Sequence, residues 1–290
     1  MAIIELSIPA RRRELVPGFS VGRVLPFAKR RNLGPFVFLD HMGPLELPPG
    51  RGMDIGAHPH IGLATVTYLF AGRVVHRDST GAVQTIEPGD VNWMSAGRGI
   101  AHSERTPDDA RRLGGPVHGL QSWVALPLAA EQSEPAFFHH PAASLPELAF
   151  EGGSLRVIAG SEQGLRSPVA IASPLVYAEL RMQDGATFTF SAEHEQRGAY
   201  VIEGALQTDD GQLASAGALA VFEPGRALVL RASGPTHAML LGGAPLDAPR
   251  FIDWNFVASS RERIEQAKRD WTEGRFPLVP GEPDRIPLPG

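Results

Sequence analysis

Short runs of β-branched and aromatic residues, cut at close intervals by glycine and proline, set the character of this chain. Thr65-Val66-Thr67-Tyr68-Leu69-Phe70 is such a run, and its composition suits a pleated, half-buried strand. Ala71-Gly72 turns the chain, Val74-Val75-His76 starts a return strand, and Asp78-Ser79-Thr80-Gly81 turns it again. Val83 to Ile86 is extended. Pro88-Gly89-Asp90 then turns into Val91-Asn92-Trp93-Met94, and Gly97-Arg98-Gly99 leads into Ile100-Ala101-His102. Residues 1–50 read as short strands and irregular loops that end on the breakers Pro48, Pro49, Gly50 and Gly52. Regular short strands with turn signals predict an all-β sandwich or barrel.

The pattern recurs. Tyr68-Leu69-Phe70-Ala71-Gly72 is matched by Tyr200-Val201-Ile202-Glu203-Gly204, and Glu87-Pro88-Gly89 by Glu223-Pro224-Gly225. His102 follows Gly89 by 13 residues, and His237 follows Gly225 by 12. Similarity in both order and spacing predicts two barrels related by duplication. The join is expected at 135–150, where Pro135, Pro141 and Pro146 cluster. The expected domains are therefore 1–135 and 150–290, the second carrying a C-terminal helix and tail. Ser259 and Glu262 fit a capping box for that helix. Ile264, Ala267 and Trp271 then follow helical spacing, and Gly274 stops it. Pro277 to Gly290 is proline-rich and expected to be extended.

Totals narrow the class. A chain of 290 residues accommodates two domains. Its 43% hydrophobic and 20% charged content is that of a soluble globular protein. Net charge is −5, which argues against direct nucleic-acid binding, since such proteins are usually basic. Arg11-Arg12-Arg13 and Lys29-Arg30-Arg31 read as solvated surface. Cysteine is absent, so disulfides and thiolate metal sites are excluded. The sequence shows neither a secretory h-region nor an apolar run long enough to span a bilayer. A cytoplasmic location without membrane association is expected.

The chemistry lies in two pairs. His58-Pro-His60 and His102-Ser-Glu104 each have i, i+2 spacing, which puts both members on one face of a strand. Two neighbouring strands then aim three imidazoles and one carboxylate at one point. Such a nitrogen/oxygen set, with a ligand charge of minus one, suits divalent iron, manganese, nickel, copper or zinc. It also leaves octahedral positions open for water, dioxygen or substrate. The second half keeps His194 and His237, but it has Phe190, Ala192 and Met239 where ligands stand in the first. One metal per chain, held in the first barrel, is the expectation.

Several ordered motifs, which together extend over nearly the whole chain, resemble the pirin family of the cupin superfamily. They are Asp40-His41-Met42-Gly43-Pro44, His58-Pro59-His60 and the stretch from Asn92 to Glu104. His118-Gly119-Leu120-Gln121 with Trp123, Asn255-Phe256-Val257 and Gly274-Arg275-Phe276 add to them. The resemblance implies two antiparallel, jelly-roll-like cupin barrels, with iron held by His58, His60, His102 and Glu104. Bacterial and human pirins have been linked to flavonol 2,3-dioxygenase (quercetinase) activity, and the human protein to transcriptional co-regulation. One position departs from general cupin motifs: Ala64 stands where many carry a glutamate after the HxH pair. The pirin arrangement takes its carboxylate from Glu104 instead.

Three function classes follow. The leading one is an Fe(II)-dependent dioxygenase acting on a flavonol or related enol with dioxygen, in which Glu104 also serves as general base. The second is a redox-sensing protein whose iron charge is read by a protein partner. The third is a metal-bound bicupin without turnover. His41, His76 and His118 stay open between packing and site roles, and Gln121 joins His118 as a candidate for the pocket lining. Trp93 and Trp123 read as core, and His139-His140 as a solvated linker.

Overall fold

The structure, a computed structural model, describes residues 3–16 and 18–289. Its strands fall into four sheets. The largest runs in the order β1 (Ile4–Pro9), β20 (Ala218–Phe222), β18 (Gln196–Thr208), β21 (Leu228–Gly243), β16 (Leu175–Met182), β14 (Gly153–Glu162) and β13 (Glu147–Phe150). Attached to it are β15 (Leu165–Arg166), β17 (Thr187–Phe190) and β19 (Leu213–Ser215). The second sheet runs β12 (Ala136–His140), β9 (Val91–Ser95), β6 (Leu63–Ala71), β11 (Gly115–Ala125), β4 (Phe36–Leu47), β3 (Phe19–Leu25) and β2 (Arg11–Val16). The third is β5 (Asp54–His60), β10 (Ile100–Arg105), β7 (Val74–Asp78) and β8 (Val83–Ile86). A ribbon of β22 (Phe251–Asp253) and β23 (Phe256–Ala258) completes the strands. Among the described residues, helix is limited to α1 (Asp108–Leu113), α2 (Arg261–Thr272) and one 3₁₀ turn. The all-β expectation of two cupin domains and a short C-terminal helix holds.

The duplication is visible in the ladders. Tyr68 sits in β6 between Val91 of β9 and Leu120 of β11. Tyr200 sits in β18 between Leu219 of β20 and Met239 of β21. Both tyrosines are fully buried. Tyr68 and Tyr200 thus occupy equivalent places, but the other expected matches shift. The Gly217 amide donates to the Val201 carbonyl as the Gly89 amide does to that of Leu69. His237 and Met239 stand opposite Glu203 and Tyr200 as His118 and Leu120 stand opposite Ala71 and Tyr68.

Two compact units form, but not by cutting the chain once. One combines β1, Gly22–Leu39 and Ala143–Pro245; the other combines Arg13–Val21, Asp40–Ala142 and the chain from Leu246 onward. This differs from the expected 1–135 and 150–290 at both ends. β1 hydrogen-bonds to β20, with Ile8 opposite Leu219, so the first strand belongs with the later barrel. The C-terminal helix belongs with the earlier one. Its buried Ile264, Ala267 and Trp271 pack with Ala57, Ile61, Ala101 and Phe256. The expected linker is also ordered. His139 and His140 lie in β12, paired to β9, and His139 Nδ1 is 2.8 Å from Asn92 Oδ1.

Helix α2 starts one residue later than its sequence signal. Ser260 is the N-cap, and its hydroxyl accepts from the Arg263 amide. The Ser259 amide donates instead to Glu131 Oε1. The proline-rich tail, expected to be extended throughout, turns at Pro280-Gly281 and then runs beside the edge of β5 through Ala57 and Arg285. The Ala57 amide donates to the Asp284 carbonyl, and the Ile286 amide donates to the Ala57 carbonyl. Trp271 ties helix to tail: its Nε1–H donates to the Ile286 carbonyl at 2.9 Å, and the Arg285 guanidinium lies 3.9 Å from its ring. Trp271→Ala is expected to cost about 3–5 kcal/mol, as truncation of a buried aromatic does. Urea unfolding measures it, and a loss under 1 kcal/mol would mean that the helix and tail are not part of the cooperative core.

Candidate metal centre

Alternation along β5 and β10 divides their residues between two environments. Ala57 and Ala101 pack with α2, whereas the alternate residues His58, His60 and His102 gather together. All three imidazoles are buried. Their ligand nitrogens lie within 4.8 Å of one another, and among the described residues they form the candidate metal-holding group. His102 is directly opposite His58 in the ladder, and Ile100 opposite His60.

The outer nitrogens explain how the rings are held. His58 Nδ1 lies 2.9 Å from the Gly56 carbonyl, and His60 Nδ1 lies 3.1 Å from the Asn255 carbonyl. A carbonyl only accepts, so each Nδ1 carries the proton and each Nε2 presents a lone pair. Asn255 reaches the site because β23 approaches closely. The Val257 amide donates to the Ile61 carbonyl, and Gly62, with φ +65°, leaves room for the Val257 carbonyl, which a Cβ there would strike. Trp123 and His60 pack edge to face, with ring centroids 5.2 Å apart. Trp123 is therefore core and site wall at once.

The residues fit a transition-metal ion. His60 Nε2 and His102 Nε2 are 3.1 Å apart. Two nitrogens bound about 2.1 Å from one ion at roughly right angles are separated by about this distance. Burial, helped by charge repulsion among the rings, also keeps them neutral. It lowers His58 to about 4 and holds His60 and His102 well below their ordinary value. Neutral imidazole is the form that metals bind, so at pH 7 few protons need displacing.

Glu104 stands apart from the three rings. It follows His102 by two residues on β10, but the pairing with β5 slips between them. His102 faces His58, whereas Glu104 faces Ile55. That extra residue in β5 is a bulge, a device that re-aims side chains. Glu104 is buried but is not in the three-histidine group. Burial raises its carboxyl above the usual range, partly offset by His76 and by the Thr67 hydroxyl. Thr67 Oγ1 lies 3.3 Å from Glu104 Oε1 and 2.8 Å from Gln121 Oε1. Gln121 is thus linked to the site, whereas His118 pairs with His41 through Nε2 atoms 2.9 Å apart.

Sequence reasoning left His76 open and missed Asp78, Thr67 and the Asn255 carbonyl. The signal for His76 and Asp78 was the same i, i+2 spacing, on the strand hydrogen-bonded to β10. In the other unit, His194 Nε2 bonds to the Ser161 carbonyl and His237 lies 2.9 Å from Glu179. Phe190 and Met239 are fully buried.

The neutral rings carry a pH prediction for the metal-free protein. In the unfolded chain these histidines protonate near 6.5, whereas the folded His58 waits until about 4. Between those values the unfolded state binds more protons, so stability falls as pH falls. His58 alone accounts for about 3 kcal/mol across that window. Glu104, with its raised value, works in the opposite direction, but it is one group against three. Urea midpoints at pH 7.5, 6 and 5 should fall in that order, and less steeply in His58→Gln. A flat profile would mean that the rings are solvated or already charged.

Comparison with known proteins agrees with this geometry. The pirin family pattern matches residues 18–124, and the pirin C-terminal cupin domain matches 177–277. A pirin-like protein of Caulobacter vibrioides is 47% identical over 99% of this chain and 100% of its own length. A Pseudomonas aeruginosa protein, provisionally named as a quercetin 2,3-dioxygenase, is 40% identical over 92% of this chain and 83% of its own. The crystal structure of quercetin 2,3-dioxygenase from Acinetobacter baumannii superposes with a TM-score of 0.91 at 32% identity, over 99% of this chain and 95% of that one. No helix among the described residues is long and apolar enough to cross a membrane. By sequence, by fold and by its buried histidine cluster, the chain belongs to the pirin family.

Proposed function

We propose that this protein is a metal-dependent dioxygenase of the quercetinase type, with one ion, Fe(II), held by His58, His60, His102 and Glu104. The carrying observation is the set of three buried imidazoles: backbone carbonyls fix His58 and His60 with Nε2 presented, and His102 Nε2 meets them at 3.1 Å from His60. A divalent ion held there would supply Lewis-acid stabilisation of an enolate.

The chain's own residues do the rest. The buried rings and Trp123 exclude water from one side of the site. Glu104 takes the proton from the flavonol hydroxyl. Its burial beside the histidines, with the Thr67 hydroxyl 3.3 Å away, supports this role. The Thr67 hydroxyl has one proton, which it gives either to Glu104 Oε1, steadying the charged form, or to Gln121 Oε1. The resemblance to proteins named for quercetin 2,3-dioxygenase supports a flavonol as substrate.

The test is metal analysis of protein purified without added metal, followed by oxygen uptake with quercetin. Stoichiometric metal and coupled consumption of flavonol and dioxygen are expected. Fully loaded protein that turns over none of several flavonols would transfer the reading to a redox-sensing binding protein.

A further inference from the structure

His58 and His60 each rest on a backbone carbonyl, but His102 does not. Its Nδ1 lies 3.3 Å from Nδ1 of His76. His76 in turn places Nε2 2.9 Å from Asp78 Oδ2. The ladder between β7 and β10 puts Asp78 opposite His102 and His76 opposite Glu104. All are buried, and His76 stacks on Phe137 with centroids 4.3 Å apart. Asp78 is anchored through its other oxygen. Oδ1 accepts from the Thr80 amide at 2.8 Å, the Thr80 hydroxyl at 2.6 Å and the Ala82 amide at 3.2 Å.

These contacts order the protons. An ionised carboxylate only accepts, so His76 carries a proton on Nε2. That leaves His76 Nδ1 able to accept, and His102 Nδ1–H is its donor. His102 Nε2 is then free to bind metal. We propose that Asp78 and His76 are positioning residues that fix the His102 tautomer and raise its strength as a donor, by passing carboxylate charge through two imidazoles. This rests on the reading that the three-histidine cluster holds a metal. The principle is the one by which an outer carboxylate orients a ligating histidine, extended here by one ring.

The anchoring of Oδ1 gives a sharp test. In Asp78→Asn the three donors on Oδ1 require the amide carbonyl there. The amide nitrogen must then face His76 Nε2 and donate to it. His76 would move its proton to Nδ1, where it meets the Nδ1–H that metal-bound His102 requires. Two donors would face each other, so the nearly isosteric substitution should do more harm than a larger one. His76→Phe keeps the packing on Phe137 and removes the ring nitrogens without reversing the relay.

Zinc is the probe, being diamagnetic, and chelator competition measures its affinity in the full-length protein. Asp78→Asn is expected to bind roughly 10–100-fold more weakly than wild type, and His76→Phe to lose less. Nitrogen-15 spectra of the rings should show the proton on His102 Nδ1 and His76 Nε2 in zinc-loaded wild type, and on His76 Nδ1 in Asp78→Asn. A mere packing role would leave the His76 proton in place and rank the losses by size of substitution. Wild-type affinity in Asp78→Asn, or a His76 proton on Nδ1 in wild type, overturns the relay. If wild type takes up no zinc at the cluster, the metal-site reading fails, and the proton position on His76 in metal-free protein still decides the relay.

Discussion

His58→Ala, His60→Ala and His102→Ala should each stay folded and each lose most bound metal. The affinity loss should exceed the roughly 100-fold that changes outside the ligand set cost, because each removes one of only three converging nitrogens. Folding should survive because the cores are built from apolar side chains that do not depend on the metal. One is built around Leu155, Ala178, Phe190, Leu228 and Leu240, and another around Ile61, Phe256, Ile264 and Trp271. Replacing a buried ring by alanine leaves a cavity worth about 1–3 kcal/mol, short of unfolding a domain of ordinary stability. Elemental analysis after gel filtration reads the metal, and circular dichroism with urea midpoints reads the fold. Collapse of the fold in all three variants would make the site structural, as in a zinc finger. Retention of metal in any of them would remove that residue from the ligand set.

The sequence carried the strand periodicity, the duplication and the three histidines because each is a local signal. Period-two spacing places His58 with His60, and the repeated Tyr68–Gly72 and Tyr200–Gly204 runs lie in matching ladders, whereas the Gly89–Gly225 match fails because Gly217 takes the place of Gly89. What it did not carry depends on contacts between distant residues. The bulge that separates Glu104 from the His102 register lies in β5, not in the strand bearing either residue. The carbonyl holding His60 comes from Asn255, 195 residues away. The assignment of β1 and α2 to opposite halves likewise needed tertiary pairing, with Ile8 against Leu219 and Trp271 against the tail. The shift of the cap from Ser259 to Ser260 is subtler. Both are good N-caps, and Glu131 decides between them by taking the Ser259 amide. His139 and His140 looked solvated because prolines flank them, yet β9 offers an edge to which they pair.

Glu104→Gln should separate two roles of one carboxyl. Glutamine keeps the shape and an oxygen donor but loses the charge and the basicity. Metal binding should weaken, since a ligand charge of minus one becomes zero. Turnover should fall further, by about 10²–10⁴, the usual worth of a positioned general base. The comparison must be made at equal metal occupancy, reached by excess metal, with flavonol loss and dioxygen uptake followed together. Burial already raises this carboxyl, so its removal also relieves a desolvation cost, and the metal-free variant should be no less stable than wild type. That combination is hard to mimic by damage to the fold, which would lower stability and activity in step. Full activity in metal-loaded Glu104→Gln would exclude Glu104 as the base. Unchanged metal affinity together with lost turnover would mean that the carboxylate serves the proton alone, in keeping with its place outside the three-histidine group.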